Sequence, residues 1–328
     1  MIVSKTPLRA SLFGGGTDFH DYFHNSKYGY GSVISTGINM YVYIIVNKRF
    51  DNKIRLVYYG NELVESVDEI KHNIIREALK ITGITSGIEI LYLADLPMTN
   101  LGVGLASSSA LAVGVLNALH AYKGEMVTKE ELAKEAIDIE INRLHQQIGI
   151  QDQYAVSYGG FNRYIFNSDD SVIIKPIELK ISVKKELFNN LMLFYTGIPR
   201  DSKKIFEEQK ETTKNRSEIL DELVMTTDEV MGYLQRKEFD KIGELLDKTW
   251  KIKKQFASGV TNSEIDKMYD LAMRAGALGG KILGAGGGGF LLLYVSKNKQ
   301  KDVKIALDNY MQVEFTFDKE GSKIVYKD

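Results

Sequence analysis

The chain has 328 residues, of which 44% are hydrophobic and 26% charged, so wholesale disorder and low-complexity structure are excluded. It has no cysteine, which rules out disulfides, thiolate nucleophiles and Cys-ligated metal centres. Lys plus Arg (42) balance Asp plus Glu (43). That balance argues against a protein built mainly for nucleic acid or an acidic membrane surface, but a small anionic substrate needs only a few local cations.

At roughly 150 residues per domain the length predicts about two domains. The opening residues, Met1-Ile2-Val3-Ser4-Lys5-Thr6-Pro7, carry no signal-peptide core. The apolar runs 38–46 and 290–295 are too short to span a bilayer, so a cytoplasmic protein is expected. In chain order, residues 31–60 read as strands, 67–82 as a helix and 87–93 as a strand. Residues 107–123 read as a helix buried almost all round and stopped by Gly124. Thr128-Lys129-Glu130-Glu131 is a capping box. The helix it opens carries Leu132, Ala133, Ala136, Ile137, Ile141, Leu144 and Ile148 at helical spacing.

Strands resume at 160–166, and the polar run 167–171 predicts a boundary between domains 1–168 and 169–328. Beyond it, strands are expected near 172–181 and 191–196, and a long charged helical stretch over 202–256, broken near Gly232 and Gly243. A helix at 263–275 follows, then strands at 289–295 and 313–317 flanking a helix at 299–311. No internal repeat is visible, and the second half predicts an antiparallel sheet, hence an α+β fold. The 29 glycines cluster at 14–16, 102 and 104, 159–160, 279–280 and 284–289, which predicts one composite site where the backbone turns sharply or meets a ligand.

Three segments carry chemistry. Leu101-Gly102-Val103-Gly104-Leu105-Ala106-Ser107-Ser108-Ser109 runs small and hydroxyl residues straight into a helix. Free N–H groups and the helix dipole there suit an anion, although a plain Ser N-cap explains the same pattern. No Gly-Lys-Ser/Thr follows the glycines, so this is not a Walker A loop, and a dinucleotide fingerprint fits poorly. Glu140 shares an apolar stripe with Ala133, Ile137, Leu144 and Ile148, so it is paired, protonated, bound to metal, or at the stripe's wet edge. Asp152 sits between Gln151 and Gln153, ahead of Gly159-Gly160, as a turn residue or a catalytic one. Five scattered His and no Cys leave a hard, oxygen-held ion, Mg²⁺, as the expected metal.

Three ordered stretches are similar to the motifs of the GHMP kinases, named for galactokinase, homoserine kinase, mevalonate kinase and phosphomevalonate kinase. They are Thr6-Pro7-Leu8-Arg9-Ala10-Ser11-Leu12-Phe13-Gly14-Gly15-Gly16-Thr17-Asp18, Gly104-Leu105-Ala106-Ser107-Ser108-Ser109-Ala110 and Lys281-Ile282-Leu283-Gly284-Ala285-Gly286-Gly287-Gly288-Gly289-Phe290. The resemblance spans residues 5–290. It implies a two-domain α+β GHMP kinase fold, with a ribosomal-protein-S5-like N-terminal domain that binds ATP and a ferredoxin-like C-terminal domain. It implies ATP and Mg²⁺ as cofactors, with the nucleotide phosphates at Gly102, Gly104, Leu105, Ala106, Ser107, Ser108 and Ser109. Asp152 would be catalytic, steadied by Arg9 with Lys5 as the weaker surrogate, and Ser108 and Glu140 would ligate Mg²⁺. Ala106 departs from the family's usual Gly; if that position needs positive φ, it carries about 1 kcal/mol of strain.

Gly14-Gly15-Gly16-Thr17-Asp18 replaces the Gly-Glu-His-Thr-Asp usual in galactokinases. This version resembles that of bacterial D-glycero-D-manno-heptose 7-phosphate kinases and of fucokinase-like enzymes, and implies phosphorylation of a sugar's anomeric hydroxyl. Gly15, Gly16, Thr17 and Asp18 would hold the sugar with Gly286 and Gly287, Asp18 gripping two vicinal hydroxyls. Arg200, Ser202 and Lys203 would meet a distal phosphate at a helix start, with Arg163 a weaker candidate. The expected partners are ATP and a sugar phosphate, with neither nucleic acid nor membrane; a homodimer stays open. A fucokinase-like kinase and a non-catalytic sugar or nucleotide sensor are the alternatives. Retention of Arg9, Ser108, Glu140 and Asp152 together speaks against the sensor.

Overall fold

The long strands β1 (Ile2–Phe13) and β2 (Tyr30–Lys48) form the spine of the molecule, because from Thr6 onward β1 is buried on both faces. They pair antiparallel along their length, with bulges at Pro7/Leu8 and Ser11/Phe13. The computed structural model describes residues 1–96, 104–198, 205, 208–209 and 217–328. The first sheet runs β12 (Lys323–Lys327), β1, β2, β5 (Ile88–Ala94), β3 (Ile54–Val57), β4 (Asn61–Val64). On β2 it also carries β6 (Phe161–Asn167), which in turn pairs β7 (Val172–Pro176).

Helices pack against this sheet. After the short α1 (His20–Phe23), α2 (Asn73–Thr82) is briefer than the pattern predicts, because the Glu62 carboxylate takes the N–H groups of Lys71 and His72. The helix α3 (Ser107–Lys123) has its expected bounds and lies on β1 and β2, where Ser4 donates to the Gly114 carbonyl at 2.7 Å. The helix α4 (Lys129–Ile137) opens with the expected capping box. It does not continue to Ile148. It widens into a π-turn segment (Asp138–Arg143) and stops where Leu144 N bonds Ile139 O and His145 takes φ 52°. The helix α5 (Gln151–Tyr158) follows.

The polar run 167–171 turns the β6–β7 hairpin, with Asn167 N on Ser171 O and Asp169 accepting from Ser171 N. A division at 168 therefore cuts the first sheet, which continues to Pro176 and is rejoined by β12 at the C-terminus.

The second sheet is antiparallel throughout, as expected, in the order β11 (Met311–Val313), β8 (Leu191–Tyr195), β10 (Phe290–Tyr294), β9 (Gly279–Ile282). With it go α6 (Ile181–Asn189), α7 (Ser217–Arg236), α8 (Phe239–Lys253), α9 (Ser263–Arg274) and α10 (Gln300–Ala306). The helical stretch breaks at Lys237, which adopts φ 59°, and not at Gly232 or Gly243. Gly243 serves packing: a Cβ there would stand 2.6 Å from the Tyr294 ring. No helix among the described residues is long and apolar enough to cross a membrane.

One ionic tie joins the end of α3 to α4. The two ring nitrogens of His120 lie 2.7 Å from Glu125 and 2.8 Å from Glu135. The Glu135 bond, followed by the Glu125 bond, raises its pKa above the ordinary 6.5 against the opposing effect of burial. The tie therefore contributes fully below pH 6.5 and is lost as pH rises through the raised value. Thermal unfolding at pH 6 and pH 9 should show wild type losing its advantage over His120→Asn at the higher pH. A difference that does not change with pH would remove His120 from the stability balance.

Candidate active site

Strand β1 delivers Arg9 to the middle of the molecule, 3% exposed. Its guanidinium is shared between two structures. Nε and Nη2 donate to Asp152 Oδ1 and Oδ2, both at 2.8 Å, while Nη1 donates to Gly104 O at 2.8 Å. Its backbone N–H also donates to Leu105 O at 3.1 Å. One side chain thus locks the first turn of α5 to the loop that opens α3, and fixes both carboxylate oxygens of Asp152 in the planar geometry that Arg favours.

Ala106 precedes α3 in the left-handed region (φ 60°, ψ 38°) and offers no side-chain cap. The positive φ considered for this position is real, so the Ala carries the strain a Gly would avoid. The Ser N-cap reading fails for the same reason. The first amides of α3, at Ser107, Ser108 and Ser109, have no partners within the helix and suit an anion. Ser108 is exposed, Ser107 half-buried and Ser109 buried. Leu105 contributes backbone only, its side chain lying in the core.

Glu140 is wholly buried, which excludes the wet-edge reading. The π turn carries it inward, where its Oε2 accepts from Ser109 Oγ and Gln153 Nε2, both at 2.7 Å. Its Oε1 has no partner. Burial raises its pKa, opposed by the hydroxyls of Ser109 and Ser108 and by Gln153.

Asp18 lines the same cavity as Arg9 and Asp152, together with Gly15 and Gly16. Its carboxylate accepts from Gly16 N at 3.0 Å and from Gln151 N at 3.2 Å and Nε2 at 2.9 Å. Three of its roughly four lone-pair sites are taken, which leaves room for one ligand hydroxyl and not for two. Burial, and then Asp152, push its pKa up. Gly149 must be glycine, because a Cβ there would stand 2.0 Å from Asp18 Oδ2.

Several expected residues lie elsewhere. Thr17 is wholly buried and its hydroxyl is spent on Gly14 O and Ser32 O, so it shapes the turn without facing the cavity. Gly286 and Gly287 pack against Val260, Gly287 N bonding Val260 O at 2.8 Å, and neither lines the cavity. Gly284 of the same motif does. Gly159 and Gly160 pack against the 318–321 segment, so the composite glycine site is smaller than expected. Lys5 stacks on the Tyr41 ring and Arg163 pairs with Asp228, both outside the cavity. Gly102, Arg200, Ser202 and Lys203 lie outside the described residues.

The structure adds two lysines, Lys253 and Lys281, and two glutamines, Gln151 and Gln209, to the cavity wall. Lys281 is 5% exposed and donates to Leu12 O at 3.2 Å. Burial, with Arg9 close by, pulls its pKa down to about 7 against the opposing effect of Asp18. Lys253 donates to Ile282 O at 3.1 Å and to Gly284 O. Lys281 opens the third glycine-rich motif, which was the available signal; Lys253 and Gln151 had none of comparable strength.

The site can therefore hold an anion at the uncapped start of α3, beside a fixed carboxylate and a cavity walled by cations and an acceptor. The family model "GHMP kinases N terminal domain" matches residues 68–160, and "GHMP kinases C terminal" matches residues 230–312. The D-glycero-alpha-D-manno-heptose 7-phosphate kinase of Campylobacter jejuni subsp. jejuni serotype O:2 is 32% identical, covering 98% of each chain. The L-fucokinase/L-fucose-1-P guanylyltransferase of Bacteroides fragilis is 28% identical over 93% of this chain but only 35% of its own length. The crystal structure of a D-glycero-D-manno-heptose 1-phosphate kinase from Bacteriodes thetaiotaomicron has the same fold, with a TM-score of 0.82 over 100% of both chains at 24% identity. The shared fold, the two family matches and the full-length relative together establish that this chain belongs to the GHMP kinases, a family of phosphotransferases.

Proposed function

We propose that this sugar kinase transfers the γ-phosphoryl group of ATP to the anomeric hydroxyl of D-glycero-D-manno-heptose 7-phosphate. The products are the 1,7-bisphosphate and ADP, and the reaction serves cytoplasmic synthesis of nucleotide-activated heptose. The observation that carries this reading is the Arg9–Asp152 pair, held bidentate at 2.8 Å between the start of α3 and the cavity. Phosphoryl transfer needs mainly positioning and charge neutralisation. Asp152, 23% exposed, orients the attacking hydroxyl and takes its proton as the new P–O bond forms and the bond to ADP breaks. The amides of Ser107, Ser108 and Ser109 receive the nucleotide phosphates, and Asp18 with Gly15 and Gly16 receives the sugar. The heptose phosphate assignment draws support from the relative that is 32% identical.

Mg²⁺ fits the residues present. Among the described residues no cluster of three His or acidic groups could hold a metal, but Mg²⁺ keeps most of its waters and shares phosphate oxygens, needing only one or two protein ligands. The unpartnered, buried Oε1 of Glu140 and the hydroxyl of Ser108, an exposed residue, would be those ligands. When bound, the ion neutralises phosphate charge. Glu140→Gln should move Mg²⁺ saturation of turnover to higher metal concentration, and an unaltered titration would return Glu140 to a structural role.

A coupled ADP-release screen over heptose 7-phosphate, fucose, galactose and mevalonate tests the whole reading. Heptose 7-phosphate should give the highest kcat/KM. A protein that binds one of these compounds and releases no ADP with any of them is a sensor, not a kinase.

A further inference from the structure

Gln151 and Gln153, on either side of Asp152, are polar residues of the site to which the reaction gives no part. Successive helical residues project about 100° apart, so the first turn of α5 sends three neighbouring side chains in three directions. Asp152 meets Arg9. Gln151 reaches Asp18, donating Nε2 to Oδ1 at 2.9 Å, and its own Oε1 is fixed by Ser11 Oγ at 2.7 Å. Gln153 is wholly buried and donates Nε2 to Glu140 Oε2 at 2.7 Å. Each glutamine therefore grips a different buried carboxylate, from sequence separations of 133 and 13 residues.

An amide suits this task. It is long enough to reach across an inter-element gap, and it donates a hydrogen bond without adding a positive charge. A Lys or Arg at either position would pair with the carboxylate and compete with its ligand. The cation side carries a second mark. Glu140 Oε1 and Gln153 Oε1 are both buried acceptors without a donor, a costly arrangement in a protein interior, and one that points to a cation or its water as the missing partner.

We propose that Gln151 and Gln153 are positioning residues with separate charges, Gln151 setting Asp18 for the acceptor sugar and Gln153 setting Glu140 for the cation and nucleotide. The inference rests on the reading of Asp18 and Glu140 given above. It predicts that the two functions come apart by mutation of residues only two positions apart.

The test uses the full chain with Gln151→Met and Gln153→Met, which keep length and lose the donor. Three quantities are read: KM for heptose 7-phosphate, kcat, and the affinity for Mn²⁺ with ADP in the absence of sugar, measured by electron paramagnetic resonance. Gln151→Met should raise the sugar KM about 10-fold, the scale of one hydrogen bond to a charged group, and hold Mn²⁺·ADP affinity within about twofold. Gln153→Met should do the reverse by similar factors. Should Gln153→Met not fold, Gln153→Asn, which withdraws the amide by one methylene, is read in its place. Asp18→Asn and Glu140→Gln separate the two possible failures. If Asp18→Asn leaves the sugar KM unchanged, or Glu140→Gln leaves Mn²⁺·ADP affinity unchanged, the underlying reading falls. If both controls respond and the two glutamine variants shift both quantities equally, or neither, the division of labour is overturned.

Discussion

Asp152→Asn should lower kcat by at least ~100-fold while nucleotide binding stays nearly intact, the usual scale for removing a positioned acid–base group. The substitution keeps the side chain's shape and replaces one carboxylate oxygen by an NH₂ group. That group cannot accept the substrate's proton, and it faces an Arg9 nitrogen that donates at 2.8 Å in wild type. Nucleotide affinity should survive, because the amides at the start of α3 belong to a different element and Arg9 still reaches Gly104 O. The measurement is steady-state kcat beside ADP titration of the same preparation, with a melting curve to show that the variant is folded. Turnover at the wild-type rate would reduce Asp152 to a residue that merely anchors α5.

Arg200→Ala should raise KM for the phosphorylated sugar by roughly 10- to 100-fold, because a charge-assisted contact to phosphate is worth about 1.5–3 kcal/mol and 1.4 kcal/mol is one decade. The expectation comes from the segment Gly197-Ile198-Pro199-Arg200-Asp201-Ser202-Lys203-Lys204, which concentrates cations and a hydroxyl. KM for ATP should change little. Wild type and variant are titrated with heptose 7-phosphate and with the unphosphorylated sugar. Equal impairment toward both sugars assigns Arg200 to general architecture. A wild type that prefers the unphosphorylated sugar overturns the heptose 7-phosphate assignment and promotes a fucokinase-like activity.

Local chemistry was the legible part of this protein. The bounds of α3, the capping box of α4 and the antiparallel second sheet follow from signals confined to a few residues: a glycine stop, a Thr–Glu pair three positions apart, runs of β-branched residues. Glu140 announced itself by breaking an apolar stripe, and it is wholly buried. The stripe misled about its own length. The π turn and the left-handed His145 end the helix before Ile148, because two competing bonds, Leu144 N to Ile139 O and Gln146 N to Glu140 O, take over the backbone. Glycine weakens an isolated helix, so in the sequence Gly232 and Gly243 look like breaks. Gly243 is instead where α8 must come within van der Waals distance of Tyr294, a demand no local pattern expresses.

By itself the sequence determined the helix and strand vocabulary, the three glycine-rich motifs and the presence of Arg9, Glu140 and Asp152. Tertiary structure decided which of these meet. Arg9 and Asp152 are 143 residues apart, and Ser109 and Glu140 are 31 apart. The β12 strand returns from the C-terminus to pair with β1, a register that cannot be read from five residues. Tertiary structure also withdrew Thr17, Gly286 and Gly287 from the cavity and put Lys281, Lys253 and Gln151 there. The reason is physical. Capping and periodicity act within one or two turns of chain, where neighbours in sequence are neighbours in space. A buried charge takes its role from whichever partner the sheet and helices carry to within about 3 Å of it, at the length of a hydrogen bond.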